Sequence, residues 1–303
     1  MGAVAANILA VLLALFISLA ALGDFAVAAE SPRPAQAAPA LWVVEKGGKT
    51  LYLFGSMHLL PAQLKWRRPE LDAAIAASKV FVFEAPVDGG GGSAMSNFIE
   101  TGGKLPDGTT LRDVLPADLY TRLQDASWKI NYPPMLLKQF RPWLAAVSLE
   151  LFSYIKAGFS TWYGVDYLIE SEAKKNGRTL DYLETVEEQL SFFSRLDRKV
   201  EIAYLRETVR SILEEPNSPN ELVDAWASGK PENMVGLLDS AFEKVPALRD
   251  RLLVARNRNW LPKLEAMLAS PETHFVTVGV GHLVGPDSVV AQLKAKGYKV
   301  LGP

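Results

Sequence analysis

The chain has 303 residues, of which 49% are hydrophobic and 22% are charged, and this is enough for one large domain or two small ones. Its formal net charge of -2 argues against a nucleic-acid-binding protein, since such proteins usually carry a basic patch. The absence of cysteine excludes disulfide bonds, a zinc–thiolate site and a cysteine nucleophile.

The first forty residues are predicted to be an export signal followed by a linker. An apolar run at 8–22 has signal-peptide length, and Ala26-Val27-Ala28 matches the pattern that signal peptidase prefers. We therefore expect a cleaved signal peptide at 1–29, a Pro- and Ala-rich linker at 30–40 and a periplasmic or secreted domain at 41–303. The alternative is a membrane anchor formed by the uncleaved apolar run, which is near the lower length of a membrane span.

A hairpin and a histidine open the folded part. Two short apolar runs at 41–45 and 50–54 are separated by a Gly-Gly pair, which predicts a β-hairpin. The second run leads into Gly55-Ser56-Met57-His58. The glycine three residues before His58 indicates a tight strand end at which the backbone approaches a ligand.

A carboxylate ends the next predicted strand. A short helix at 70–77 follows Pro69, and the buried-strand pattern at 80–83 ends in Glu84. Glu84 is either a solvent-facing strand end or a functional carboxylate at the same sheet edge as the histidine. A glycine-rich loop at 88–93 follows, and it lacks the Gly-Lys-Ser/Thr of a phosphate-binding loop.

Residues 110–268 are predicted to be mostly helical, with one short strand at 179–183. This strand ends in Glu184, and Thr185 is suited to cap the following helix. Farther along, Arg256 and Asn259 are three residues apart on one helical face. Arg256 is either part of a surface salt bridge or a residue that holds an anion at the sheet edge.

The last thirty residues repeat the strand-then-histidine pattern. A β-branched run at 275–280 predicts a buried strand that ends in Gly281-His282. A turn, a helix at 288–296 and a final strand at 298–301 follow. Two of the three histidines, His58 and His282, thus end matching Gly-x-x-His segments, whereas His274 precedes its strand and is interpreted as structural.

Several of the predicted strands end in a polar side chain. In open α/β sheets, ligands bind at the carboxyl ends of the strands. His58, Glu84, Glu184 and His282 are all predicted at such ends, so the sequence predicts a site assembled from distant segments.

The chain resembles the TraB/GumN family, which is related to the TIKI metalloproteases and the pheromone-shutdown proteins. The resemblance covers residues 41–301. Its motifs are Gly55-Ser56-Met57-His58, Phe83-Glu84, Arg141-Pro142-Trp143, Gly164-Val165-Asp166, Leu183-Glu184, Arg256-Asn257 and the segment 279–286. The resemblance implies an α+β or α/β fold, with a central sheet built from repeated strand-and-helix units and a large helical insertion at about 110–268. It also implies that both Gly-x-x-His motifs and a glutamate form the active centre. For TIKI-like members it also implies peptide cleavage that depends on a divalent metal, with manganese or cobalt as the expected metals.

We therefore expect a metal-dependent hydrolase, most simply a peptidase, with His58, His282 and Glu84 as metal ligands and zinc as a further possible metal. Glu184 is a candidate fourth ligand or general base, and Arg256 is a candidate partner for a substrate carboxylate or an oxyanion. The expected partner is a peptide or protein substrate. The alternative is a non-catalytic regulatory protein that binds haem or a peptide through the same histidines. A serine hydrolase is disfavoured, because Gly-x-Ser-x-Gly is absent.

Overall fold

A computed structural model describes residues 37–86, 97 and 99–303. The predicted signal peptide, most of the predicted linker and the glycine-rich loop at 88–93 lie outside the described residues. Within the described part, no helix is long and apolar enough to cross a membrane.

The described residues form two sheets. The strands are β1 (Leu41–Lys46), β2 (Lys49–Ser56), β3 (Leu60–Pro61), β4 (Val80–Phe83), β5 (Phe159–Ser160), β6 (Thr179–Tyr182), β7 (His274–Gly279) and β8 (Lys299–Leu301). Six of them form one sheet in the order β6-β4-β7-β2-β1-β8, and β3 pairs with β5 in a small antiparallel sheet. In the large sheet the four neighbours β6, β4, β7 and β2 are parallel, so their carboxyl ends meet at one edge.

Helices occupy most of the rest of the described chain. They are α1 (Pro69–Ala77), α2 (Leu111–Val114), α3 (Ala117–Lys129), α4 (Pro142–Lys156), α5 (Val165–Lys175), α6 (Val186–Ser194), α7 (Arg198–Glu214), α8 (Ser218–Ala227), α9 (Pro231–Phe242), α10 (Pro246–Arg249), α11 (Ala255–Ala269) and α12 (Val289–Ala295). A π-helical turn, Asp250–Val254, leads directly into α11. The predicted mixed α/β fold with a central sheet is confirmed.

The sheet is buried because its central strands are apolar on both faces. Every residue of β7 is buried, as expected for a strand covered by helices on each side. On one face Phe275 packs against Phe54 and Phe81, with ring centroids 6.1 and 5.7 Å away. Trp66 extends this cluster, at 5.9 Å from Phe54. The aromatic layer fixes the register of the strands that end at the candidate site.

Local sequence signals placed several elements correctly. The hairpin β1–β2, strand β4 and the C-terminal helix α12 agree with the prediction, and the side chain of Ser288 caps α12 by accepting a hydrogen bond from Ala291 N at 3.1 Å. Thr185 likewise caps α6. One detail is wrong: α11 buries Arg256 but leaves Asn259 exposed. The two positions lie about 60° apart around the helix, and the other buried residues of α11 lie on the opposite side of Arg256 from Asn259.

Residues 110–268 hold α2 to α10 and most of α11, together with β5 and β6. Since β6 is an edge strand of the large sheet, this segment also supplies part of the central structure. The domain limits that we drew from the sequence stay a prediction.

The end of the predicted linker is packed against the domain. Ala37 is fully buried, and its N–H donates to Lys65 O at 2.8 Å. Ala38 N–H donates to Ala227 O at 2.8 Å, and Arg68 Nη2 donates to Pro39 O at 2.9 Å. Three hydrogen bonds therefore join residues 37–39 to the domain.

Candidate functional site

Four side chains predicted for the site follow the four parallel strands. His58 follows β2, Glu84 follows β4, Glu184 follows β6 and His282 follows β7. All four residues are buried, with exposed fractions of 8% or less. The sheet therefore brings together residues that lie far apart in the sequence.

His58 is held by a carboxylate from α5. Its Nδ1 donates to Asp166 Oδ2 at 2.5 Å, and both side chains are buried. The start of α5 is fixed against the strand end, since Val165 N–H donates to Met57 O at 3.0 Å. A Cβ added to Gly164 would lie 2.2 Å from His58 O, so only glycine allows this approach. The other ring nitrogen, His58 Nε2, is buried and has no hydrogen-bond partner within the described structure.

His282 is held by an amide from α11. Its Nδ1 is 2.6 Å from Asn257 Oδ1, and an amide oxygen only accepts, so Nδ1 carries the proton. Nε2 of the neutral ring then has a free electron pair, toward which Arg256 Nη1 donates at 3.2 Å. The indole of Trp260 packs on the imidazole with ring centroids 4.3 Å apart.

Glu84 is oriented by three donors. Gly279 N–H, at the end of β7, donates to Oε1 at 2.7 Å. Gln189 Nε2 donates to Oε2 at 3.2 Å, and Arg256 Nη2 donates to the same oxygen at 2.5 Å. His282 Nε2 lies 3.7 Å from Glu84 Oε1. The carboxylate is thus placed beside the second histidine.

Arg256 joins the two glutamates. Its Nε lies 3.0 and 3.1 Å from the two oxygens of Glu184, and its Nη2 donates to Glu184 Oε2 at 2.7 Å. Trp260 Nε1 donates to Glu184 Oε1 at 2.9 Å. Both oxygens of Glu184 are therefore engaged, and the guanidinium is shared between two carboxylates. Arg256 is thus a buried centre of the site, not part of a surface salt bridge.

The surroundings shift the pKa values of the two histidines in opposite directions. Burial lowers the pKa of His58, but the carboxylate of Asp166 outweighs burial and the net pKa is raised above 6.5. Burial, together with the positive charge of Arg256, lowers the pKa of His282 well below 6.5. Burial also lowers the pKa of Arg256, but Glu84 and Glu184 raise it further, so the guanidinium stays charged.

Ser56 does not form a nucleophile–base pair. It is fully buried, and its Oγ has no hydrogen-bond partner among the described residues. A serine hydrolase would need this hydroxyl to bond to His58. The disfavoured serine mechanism therefore gains no geometric support.

Sequence reasoning missed the residues that orient the predicted ones. Asp166, Asn257 and Gln189 are not among the predicted site residues. Asp166 and Asn257 do stand inside the Gly164-Val165-Asp166 and Arg256-Asn257 motifs, which was the available signal. No comparable signal marks Gln189, because a buried amide on a helix looks like any other polar position.

Comparison with known proteins identifies the family. The model of the TraB/PrgY/gumN family matches residues 40–301. The chain belongs to the TraB/PrgY/gumN family. The resemblance drawn from the motifs is thus confirmed over almost the whole described chain.

Individual relatives are distant. YbaP of Escherichia coli, an uncharacterized protein, is 25% identical over 84% of this chain and 92% of its own length. A metalloprotease TIKI homolog of Amphimedon queenslandica is 23% identical over 86% of this chain, and metalloprotease TIKI1 of Danio rerio is 26% identical over the same share. The matches cover 60% and 62% of the two TIKI proteins. No solved structure matches the chain.

His58, His282 and Glu84 are side chains of the types that divalent metals use as ligands. Each histidine has its Nδ1 anchored, so Nε2 is the atom left for a metal, and Glu84 supplies a carboxylate beside them. His58 Nε2 is buried and has no hydrogen-bond partner among the described residues, so this atom is available to an ion or a water. Nowhere in the described chain, however, do three or more His, Asp or Glu side chains converge as a metal-binding group. At this site Arg256 contacts Glu84, Glu184 and His282 instead.

Proposed function

We propose that this protein is a metal-dependent hydrolase that cleaves peptide bonds, with His58, His282 and Glu84 as the ligands of one divalent ion. Manganese or cobalt is the expected metal, with zinc as a further candidate. The relation to proteins named metalloproteases supports the reaction class, and the buried strand-end site supports the ligand set.

The observation that carries the proposal is the state of His58. Its Nδ1 is fixed on a buried carboxylate, and its Nε2 is buried without a partner. Metal-bound histidines characteristically use one ring nitrogen for the ion and donate the other to a carboxylate or carbonyl. An imidazole with no function beyond packing would more commonly have both nitrogens satisfied.

Formal charge supports a cation in the same place. Glu84 and Glu184 carry two negative charges, and the one guanidinium between them carries a single positive charge. A buried excess of negative charge is costly unless another cation compensates for it. A divalent ion near Glu84 would supply that compensation.

A bound metal would polarise a peptide carbonyl and lower the pKa of a coordinated water. The chain's own residues orient the donors: Asp166 holds His58, Asn257 holds His282, and Gly279 N–H with Gln189 holds Glu84. Because Arg256 remains charged, it is suited to stabilise an oxyanion. A general-base role for Glu184 would first require release of Arg256, since both of its oxygens accept bonds from Arg256 and Trp260.

The metal content of the purified protein tests the proposal. We expect a stoichiometric divalent ion after reconstitution with Mn²⁺ or Co²⁺, and the His58→Ala variant should lose it. His274→Ala is the matched control, because His274 lies at the other end of β7 with its Nδ1 near Glu272 O at 3.0 Å. Equal metal content in the wild type and His58→Ala would contradict the proposed ligand set.

A peptide-cleavage assay separates hydrolysis from binding alone. If the metal-loaded protein binds peptides but leaves them intact, the non-catalytic binding protein becomes the better description. If the protein only binds peptides, Glu84→Gln should leave peptide binding largely unchanged. If the protein is a hydrolase, the same variant should lose peptide turnover.

We further infer that the protein is exported, to the periplasm or beyond the cell. This inference rests on the sequence of residues 1–29. A peptide or protein outside the cytoplasm is the corresponding substrate class.

A further inference from the structure

Arg256 contacts the same side chains that we assign to the metal. Its Nη2 donates to Glu84 Oε2 at 2.5 Å, and its Nη1 donates toward His282 Nε2 at 3.2 Å. The arginine side chain is 3% exposed, so no solvent separates these groups. A divalent ion bound to Glu84 and His282 would need the electron pairs that the guanidinium now uses.

We propose that Arg256 is an internal cation that competes with the divalent metal for Glu84 and His282. Metal binding then requires the guanidinium to give up these two contacts and to remain on Glu184. This proposal rests on the proposed metal-dependent function. It adds that Arg256 lowers the affinity of the site for the metal.

The contacts of Arg256 divide into a firm set and a replaceable set. Toward Glu184 it makes three close contacts, and Trp260 fixes the same carboxylate. The guanidinium also lies over the rings of Trp260 and Phe192, at 4.8 and 5.3 Å from their centroids. Toward Glu84 and His282 it makes one contact each. Withdrawal onto Glu184 would therefore keep most of its interactions.

The metal ligands stay oriented when Arg256 leaves. Glu84 retains the hydrogen bonds from Gly279 N and Gln189 Nε2. His282 retains its bond to Asn257 through Nδ1. Both ligands therefore keep hydrogen bonds to residues other than the arginine, as an exchange of one cation for another requires.

The backbone that carries Arg256 is irregular. A π-helical turn ends at Val254, directly before α11, and Arg256 Nη1 donates to Leu252 O within that turn at 3.3 Å. Single π-helical turns inside helices occur frequently at functional sites. A small rearrangement of this turn would move the guanidinium relative to the sheet edge.

Calorimetric titration with Mn²⁺ tests the competition. We expect Arg256→Gln to bind Mn²⁺ about tenfold more tightly than the wild type, or better, because the competing charge is gone. Arg256→Lys should stay close to the wild type, since it keeps a cation. Arg210→Gln is the matched control: Arg210 also lies between two glutamates, Glu207 and Glu215, but belongs to α7.

If the wild type binds Mn²⁺ and Arg256→Gln binds it equally or more weakly, the proposed competition is overturned. The proposed metal-dependent function would remain intact in that case. If Arg256→Gln binds Mn²⁺ and the wild type does not, the competition is supported, and Arg256 then excludes the metal completely. Absence of binding in every variant would refute both the competition and the metal-dependent function.

A second variant covers the case in which Arg256→Gln does not fold, since that change leaves two buried carboxylates without a cation. In Arg256→Gln/Glu184→Gln, one negative charge is removed with the arginine while all three proposed ligands remain. It should also bind Mn²⁺ more tightly than the wild type, and its thermal midpoint should rise on addition of Mn²⁺ by more than that of the wild type. Equal affinities would again overturn the competition.

Discussion

His58 and His282 end the same Gly-x-x-His pattern, yet their imidazoles have opposite surroundings. Asp166 is a charged partner for the first ring, whereas Asn257 is a neutral partner for the second. Arg256 adds a positive charge beside His282. The sequence pattern thus repeats, but the electrostatics do not, and the two rings cannot serve interchangeably in a reaction.

Histidine titration by NMR tests this asymmetry in the metal-free protein. The chain has three histidines, so three Cε1–H resonances are expected. We expect a pKa above 6.5 for His58, because the effect of Asp166 outweighs that of burial. The pKa of His274 should lie below 6.5, because burial lowers it, and the pKa of His282 should lie well below 6.5. Asp166→Asn should move the His58 resonance to a lower pKa. Coincident titration of all three signals would contradict the described site.

The shifts also set how stability depends on pH. The folded pKa of His282 is depressed, so its contribution to the free energy of unfolding is present above about 6.5 and is lost as the pH falls through the folded pKa. The folded pKa of His58 is raised, so its contribution is present below about 6.5 and is lost as the pH rises through that higher value.

At the scale of elements, the start of α5 and the end of β2 form one unit. Gly164 touches His58 O, and Val165 N–H bonds to Met57 O. From the other side, Trp226 Nε1 on α8 donates to Gly55 O at 2.8 Å. The loop that carries His58 is thus fixed by two helices, and this rigidity preorganises the imidazole.

Gly164→Ala tests this unit. The new methyl group would lie 2.2 Å from a backbone oxygen, so α5 or the His58 loop must move, and we expect a loss of about 3 kcal/mol in the free energy of unfolding. Gly236→Ala is the control within α9, where nothing lies within 4 Å, and it should gain about 0.5–1 kcal/mol. Denaturant unfolding measures both. Equal stability of the wild type and Gly164→Ala would refute the close packing.

The sequence predicted elements with strong local signals better than it predicted contacts between elements. The turn glycines, Thr185 as a cap and the apolar run of β4 are local signals, and they were placed within one or two residues. The strand-end positions of Glu84 and Glu184 followed from the same runs. The bond between Asp166 and His58 was not predictable, because it spans 108 residues and depends on how α5 packs. The same holds for the position of Arg256 between two glutamates.

At the scale of the molecule, the N-terminal segment and the domain meet at residues 37–40. Since these residues are hydrogen-bonded to 65, 68 and 227, a cut that removed them would expose buried backbone. The predicted cleavage after residue 29 leaves them in place with a short tether.

Expression of the full chain in a bacterium tests this arrangement. We expect the protein in the periplasmic fraction, with an N-terminal residue near 30 and always before 37, as read by mass spectrometry. Recovery of the intact chain in the membrane fraction would favour the anchor at 8–22. A stable exported product that begins after residue 40 would contradict the role of the packed segment.

The order of strands in the large sheet has a consequence for biosynthesis. The central strand β7 lies between β4 and β2, but it is made long after both, and its Gly279 bonds to a glutamate 195 positions earlier. Until the ribosome has released β7, the inner edges of β2 and β4 have no neighbour, and such edges promote aggregation. The sheet therefore closes only after most of the chain has been translated, and non-local pairing of this kind folds slowly. This late closure is compatible with the export that we propose, since the chain would still be open while it is being transported.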